Sequence, residues 1–284
     1  MTITTEGLLK QLKTKEIAIF GAGFVAEMFW QALKLHGAED NVSCCVVTHA
    51  ESGHCFHGIP VRSLESTRVP ENMLLCIAVH ESGKEGLREL LSPYEAQTVW
   101  IYPYLFELLY GKPICLSPEY PLAELLVCQN REEYWLAVRY AAIRDFLNGS
   151  PEYSGTKDLY LQAVSLHCAG KTALRRASRM EELALSMSSE GFREDCPVRI
   201  DEAGRIIDGL HRIACAAYLK MKTVPALIYP YSQIFENVLG EKNRLPEWLL
   251  RRENFSEENI NYLKEAQNEL LKTASDEQND TAAV

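Results

Sequence analysis

Several things are missing from this 284-residue chain, and each absence excludes a class of protein. No apolar run approaches the roughly 20 residues of a membrane-spanning helix, and no signal-peptide pattern opens the chain. Nine cysteines occur, an odd number, and no two stand as Cys-x-x-Cys. The adjacent pair Cys44-Cys45 fits opposite faces of a strand better than a disulfide, so reduced thiols and a cytoplasmic setting are expected. Positive charge is also short. The net charge of −10 argues against a nonspecific grip on nucleic acid, which needs a basic face to release counterions. One further absence is local. Between Asp158 and Glu181 there is no acid, while Lys171, Arg175, Arg176 and Arg179 all fall there. Such a patch suits a small polyanion better than a duplex.

The chain is long enough for two modest cores, and its apolar fraction of 47% is that of a globular protein. Lys15-Glu-Ile-Ala-Ile-Phe20 reads as a buried strand and runs directly into Gly21-Ala-Gly-Phe-Val-Ala26. A helix-patterned stretch follows through Met28, Phe29, Trp30, Ala32 and Leu33. Gly-x-Gly-x-x-Ala between strand and helix is the dinucleotide-binding pattern: Gly21 for the tight turn, Gly23 for close phosphate approach, Ala26 for helix–strand packing. Further strands are expected at Val42–Val47, Asn72–Val79 and Val99–Tyr102. Their alternation with helical segments predicts a small, doubly wound parallel sheet. The acid that would hold a ribose is missing, since Thr48-His49-Ala50 follows the second strand and Glu51 comes late. NAD is therefore disfavoured. Ligand binding by the Gly21–Ala26 loop, packing, and contact with a second subunit in a homodimer all stay open.

A second pattern lies downstream. Arg205-Ile-Ile-Asp-Gly-Leu-His-Arg-Ile-Ala-Cys-Ala-Ala-Tyr-Leu219 ends a β-branched run at Asp208-Gly209 and opens a helix with His211-Arg212. Free backbone N–H groups, the positive end of a helix dipole, a forked guanidinium and an imidazole meet there, as a phosphate grip requires. The bland alternative is a helix cap tied to a carboxylate such as Asp201.

Strand, Asp-Gly-x-His-Arg, Ala-rich helix, then Thr223-Val-Pro-Ala-Leu-Ile-Tyr229 resembles the ParB/sulfiredoxin-like fold. Upstream, Arg175-Arg176-Ala-Ser-Arg179, Met180–Met187, Gly191-Phe192 and Pro197–Asp201 are similar to that family's arginine segment, first helix, turn and first strand. The resemblance covers roughly residues 165–230 and implies a nucleotide-binding α+β domain. Cofactor contacts would come from Gly209, Leu210, His211 and Arg212 together with Lys171, Arg175, Arg176 and Ser178. It also implies ATP or another nucleoside phosphate with Mg²⁺, and a small-molecule substrate. Leu210 stands where sulfiredoxin carries its reactive cysteine, which excludes sulfinic-acid reduction by that route. Gly209-Leu-His-Arg212 also lacks the Glu and second Arg of the CTPase type. The free-serine kinases of the group match best in motif, yet no acid between Leu166 and Met180 replaces their catalytic Glu. Asp208, His211 or His167 would then have to act as base. Two readings follow from the resemblance: a nucleotide-dependent phosphotransferase, and a nucleotide sensor without turnover linked to surface-polysaccharide biosynthesis. A partition-type DNA-associated regulator is disfavoured by the charge.

The amino-terminal segment in turn resembles the small Rossmann-like domains attached to sugar- and polysaccharide-modifying enzymes, through Ile19-Phe-Gly-Ala-Gly23 and Gly58-Ile-Pro-Val61. The expected organisation is a Rossmann-like domain at 1–118, a ParB/sulfiredoxin-like domain with preceding helices at 119–255, and a helix with a disordered acidic tail at 256–284. Pro103, Gly111, Pro113, Pro118 and Pro121 mark the crossover. Asn130–Leu147 has a helical period, and Asp158–Leu166 reads as a helix or a strand leading into a basic loop. His49, His54, Cys55 and His57 with Glu51 fit no usual zinc spacing and read as a polar loop. Cys215, one turn after His211, reads as a small core residue, with a thiol beside the phosphate grip as the alternative.

Overall fold

Thr4 accepts a hydrogen bond from the Gly7 amide at 3.1 Å and so starts α1 (Thr5–Thr14). The chain then enters β1 (Ile17–Phe20), whose four side chains are all buried. A strand that is apolar at every position needs cover on both faces, as in a parallel sheet. α2 (Phe24–His36) ends at Gly37 in the left-handed region and leads into β2 (Val42–Val47). β3 (Cys55–Phe56) and β4 (Ile59–Ser63) form a hairpin whose two turn residues, His57 and Gly58, both have positive φ. β5 (Leu74–Ile77) is fully buried like β1. After it come α3 (Arg88–Leu91), β6 (Thr98–Trp100) and α4 (Tyr102–Tyr110). The sheet order is β3-β4-β2-β1-β5-β6, and every pairing except β3–β4 is parallel. The last expected strand is shorter than Val99–Tyr102 because Tyr102-Pro103 opens a helix, where proline is tolerated in the first turn.

This is a computed structural model, and it describes residues 3–50, 53–129, 132–166, 168, 170–230 and 245–281. It divides into two compact units, Met1–Gly111 and Lys112–Val284. The division falls before residue 118 because β7 (Cys115–Pro121) belongs to the sheet of the second unit, where it pairs with β10 (Thr223–Tyr229).

The second unit continues with α5 (Leu122–Val127), α6 (Trp135–Leu147), α7 (Tyr153–Ser165) and α8 (Lys171–Glu190). β8 (Val198–Asp201), β9 (Ile206–Asp208), α9 (Leu210–Tyr218) and β10 follow. α10 (Glu247–Arg252) and α11 (Glu257–Thr281) close the chain. The sheet order is β7-β10-β8-β9, with β10–β8 parallel and the other two pairs antiparallel. Pro225 interrupts β10 at a register shift against β7, one residue before the β8 ladder begins at Ala226, so its missing N–H costs no inner hydrogen bond.

Two expectations are corrected here. The basic segment is no loop, because α8 starts at Lys171 and carries Arg175, Arg176, Ser178 and Arg179 on helical turns. α11 runs to Thr281 and takes up most of the segment expected as a helix with a disordered tail at 256–284, and Ile260, Leu263, Ala266 and Leu270 fix it to the core of the second unit. Asp158–Leu166 falls in helix α7 and its C-cap, Leu166. α6 is buried nearly all round, from Trp135 through Ile143, and therefore lies inside the helical layer rather than on its surface.

Candidate functional site

Gly209 sits at φ 111° and ψ 16°, between the end of β9 and the first turn of α9. A Cβ there would lie 2.8 Å from Val198 Cγ1 and 3.1 Å from Val198 Cβ, so the bend needs glycine for both backbone and space. No side chain among the described residues caps α9, whose first-turn N–H groups have no partner within the helix.

Arg212 turns inward from this bend. Nη2 donates to Asp208 Oδ2 at 2.9 Å, and Nη1 donates to the Pro197 carbonyl at 2.8 Å and to that of Cys196. Asp208 Oδ2 also accepts from Arg199 Nη1 at 3.0 Å. Asp208 thus serves as an anchor between two guanidinium groups, and Arg212 as a clamp joining β9, α9 and the segment before β8. The carboxylate that ties Arg212 is Asp208 and not Asp201. Asp201, buried, accepts from Arg205 Nε at 2.6 Å and from the amides of Ala203 and Arg205, which shapes the β8–β9 turn.

His211 faces the helical layer. Its Nε2 lies 2.8 Å from the hydroxyl of Tyr160 on α7, a side chain with no exposed surface. Burial, and then the charges of Arg139, Arg176 and Arg212, hold the imidazole well below the usual histidine range, so it is neutral near pH 7. Burial raises the Tyr160 phenol, and the two arginines Arg139 and Arg176 oppose that.

Arg139 on α6 is only 8% exposed. Nη1 donates to the Trp135 carbonyl one turn back at 2.8 Å, and the guanidinium lies 4.8 Å from the Trp135 ring centre. Nε is buried with no partner among the described residues. Burial, with Arg176 as a like charge, lowers its pKa to about 10. Arg176, half-buried on α8, has neither a hydrogen bond nor an ion pair among the described residues. α6, α7, α8 and α9 pack on one another and hold these groups together.

Of the residues marked in the sequence, Gly209, His211 and Arg176 belong to this cluster, with Leu210 half-buried in the first turn of α9. Arg175 and Ser178 are exposed on α8, and Ser178 Oγ turns back to the Leu174 carbonyl at 3.4 Å. The Lys171 side chain and His167 lie outside the described residues. Cys215 is fully buried, and burial pushes its thiol up to about 11, so it is a core residue. Sequence reasoning passed over Tyr160 and Arg139. A signal for Arg139 existed, since a cation at the centre of an apolar helical pattern has no solvent face to occupy.

In the first unit, Gly21 has φ 117°, and a Cβ there would stand 2.8 Å from the Ala78 carbonyl oxygen at the end of β5. Gly23 is different: a Cβ would meet nothing within 4 Å, and the backbone is extended. Packing therefore requires Gly21 but not Gly23. Nearby, His57 stacks on Trp30 with ring centres 4.5 Å apart and bonds Glu27 at 2.9 Å. Among the described residues no three His, Cys, Asp or Glu side chains are grouped to hold a metal. Glu51 lies outside them.

No protein-family model matches the chain, and neither does any curated protein or solved structure.

Proposed function

We propose that the second unit binds the phosphates of a nucleoside phosphate at the Gly209–Arg212 bend and transfers a phosphoryl group to a small polar metabolite or sugar. One observation carries this reading. Arg139, Arg176 and Arg212 bear on a neutral His211, and the carboxylate that the described residues place at the bend, Asp208, is held by Arg199 and Arg212. A concentration of cationic and neutral donors with no acid left over is complementary to phosphate oxygens. The Asp-Gly-x-His-Arg resemblance adds the nucleotide, and the strand–bend–helix architecture is compatible with it.

Positioning and charge neutralisation do most of the work in phosphoryl transfer. The acceptor oxygen attacks the terminal phosphorus, the bond to the bridging oxygen breaks, and that oxygen leaves with the nucleotide product. The hydroxyl proton goes to His211. This needs the tautomer in which Nε2–H donates to Tyr160 and Nδ1 keeps its lone pair. Asp208 is the poorer base, since Oδ2 already accepts from two guanidinium groups. Mg²⁺ would arrive with the nucleotide and share its phosphate charge.

A sensor without turnover is the second reading. The engagement of Asp208 and the flanking of His211 by cations favour it, because both weaken proton removal. For the first unit, the parallel order β4-β2-β1-β5-β6 and the open space at Gly23 support a Rossmann-like ligand site.

The test is a thermal-shift and calorimetric screen of the full chain with ATP, ADP, CTP, UDP-sugars and NAD, each with Mg²⁺. Arg176→Gln and His211→Ala are the companion variants. Stabilisation by a nucleoside phosphate that both variants lose is expected. Binding unchanged in both would end the assignment. A bound nucleotide then goes into an acceptor screen, where slow hydrolysis with no acceptor product selects the sensor.

A further inference from the structure

We infer that Arg139 and Arg176, with Tyr160 and His211, form a seat for one tetrahedral phosphate dianion. The proposal rests on the nucleotide reading and deepens it by naming where a single phosphoryl group sits.

Arg139 is a buried cation without a carboxylate partner among the described residues. It has one backbone acceptor, a tryptophan face and a sealed Nε without a partner. Buried guanidinium groups are normally matched by an anion, because removal from water is costly. The buried and half-buried acids that the described residues place on α6, α7, α8 and α9 are already engaged. Asp145, on the same helix, is taken by Arg144, Thr156 and Tyr262, and Glu181 on α8 is taken by Lys157 and Tyr153. A second cation, Arg176, adds to the excess instead of relieving it. Tyr160 and His211 supply neutral polar atoms and no negative charge.

Charge selects the ligand. Two guanidinium groups without an acid carry two positive charges, which a phosphate dianion balances and a carboxylate leaves half unbalanced. Placement agrees, since two guanidinium groups, one hydroxyl and one imidazole carried on four different helices suit tetrahedral oxygens better than a planar group. Arg212 is not counted, because its guanidinium is already engaged by Asp208 and by the Cys196 and Pro197 carbonyls.

The experiment measures melting temperature and calorimetric affinity of the full chain with inorganic phosphate, ATP, ADP and acetate. Wild type is compared with Arg139→Met and Arg139→Lys. Phosphate should stabilise wild type while acetate does not. Arg139→Met should melt no lower than wild type in phosphate-free buffer, because an apolar side chain of similar length replaces an unmatched cation. The same variant should bind phosphate at least tenfold more weakly, with Arg139→Lys in between. Phosphate binding that persists in the presence of ADP would identify a free phosphate or transferred group. Binding confined to ATP would identify the nucleotide's terminal phosphate. Equal phosphate binding by wild type and Arg139→Met overturns the seat, and nucleotide binding retained in both then leaves the functional reading standing. Unfolding of Arg139→Met without ligand also overturns it, since the guanidinium would be structural. Phosphate binding that depends on Arg139, with no nucleotide binding at all, supports the seat and removes the nucleotide. If wild type binds none of the four, both fail.

Discussion

Arg212 and Asp208 stand one helical turn apart across the Gly209 bend, and the guanidinium closes on the carboxylate at 2.9 Å. The contact is only partly exposed, and Arg212 also holds the Cys196 and Pro197 carbonyls. Arg212→Ala should therefore act first on stability. Charged hydrogen bonds of this kind contribute about 1.5–3 kcal/mol each, with Arg199 still holding Asp208 in the variant. A loss of about 2–3 kcal/mol in urea unfolding is expected. A variant as stable as wild type would show that the clamp is dispensable, and Arg212 would return as a candidate ligand contact.

Gly209 and Gly23 make opposite predictions. At Gly209 a methyl group meets Val198 at 2.8 Å in a backbone region that side chains avoid, so Gly209→Ala should cost about 2–4 kcal/mol. At Gly23 a methyl group meets open space and an extended backbone, so Gly23→Ala should leave the melting temperature nearly unchanged. If the first unit takes a ligand there, Gly23→Ala should weaken that ligand without unfolding the protein. Equal destabilisation by the two substitutions would contradict this account.

Much of the fold could be read from period and punctuation. Ile17–Phe20 and Leu74–Ile77 are apolar at every position and form inner strands, and Gly21 and Gly209 both occupy positive φ at strand ends. What could not be read depends on tertiary packing. The density of charge in Lys171–Arg179 suggests a loop, yet Ala173, Ala177, Met180 and Ala184 place a buried stripe along the same residues. His211-Arg212 looks like one grip in sequence. Successive helical residues point about 100° apart, so Arg212 reaches Asp208 while His211 reaches Tyr160. The apolar pattern around Arg139 hints at its burial, but the burial of α6 on all sides depends on four other helices, α7, α8, α9 and α11.

The acidic carboxyl-terminal helix is held by a polar network rather than by charge alone. Asp145, 4% exposed, accepts from Thr156 and Tyr262 hydroxyls at 2.5 Å each and from Arg144 Nε at 2.9 Å. Burial works to raise this carboxyl, and the donated hydrogen bonds outweigh it and leave it below the usual aspartate range. Asp145→Asn should cost about 2–4 kcal/mol, because a carboxamide cannot accept all three bonds. Tyr262→Phe should cost about 1 kcal/mol and expose α11 to proteolysis sooner. Limited proteolysis with unfolding curves checks both. A stable Asp145→Asn would show that α11 is held by its apolar face alone.

The pH dependence of stability tests the environment of His211. Its folded-state pKa is depressed, by burial first and then by Arg139, Arg176 and Arg212. Below the ordinary histidine value of about 6.5 the unfolded chain binds a proton that the folded chain refuses. Stability from this group is therefore complete above that value and declines as pH falls toward the folded pKa, by up to about 1.4 kcal/mol per pH unit. His211→Gln cannot take a proton and should flatten the loss between about pH 6.5 and 5. A phosphate held beside His211 would favour its protonated form, so saturating phosphate should flatten the wild-type curve in the same window. Identical slopes for wild type and His211→Gln would mean that the imidazole is not held neutral, and the cationic surroundings assigned to it would be wrong.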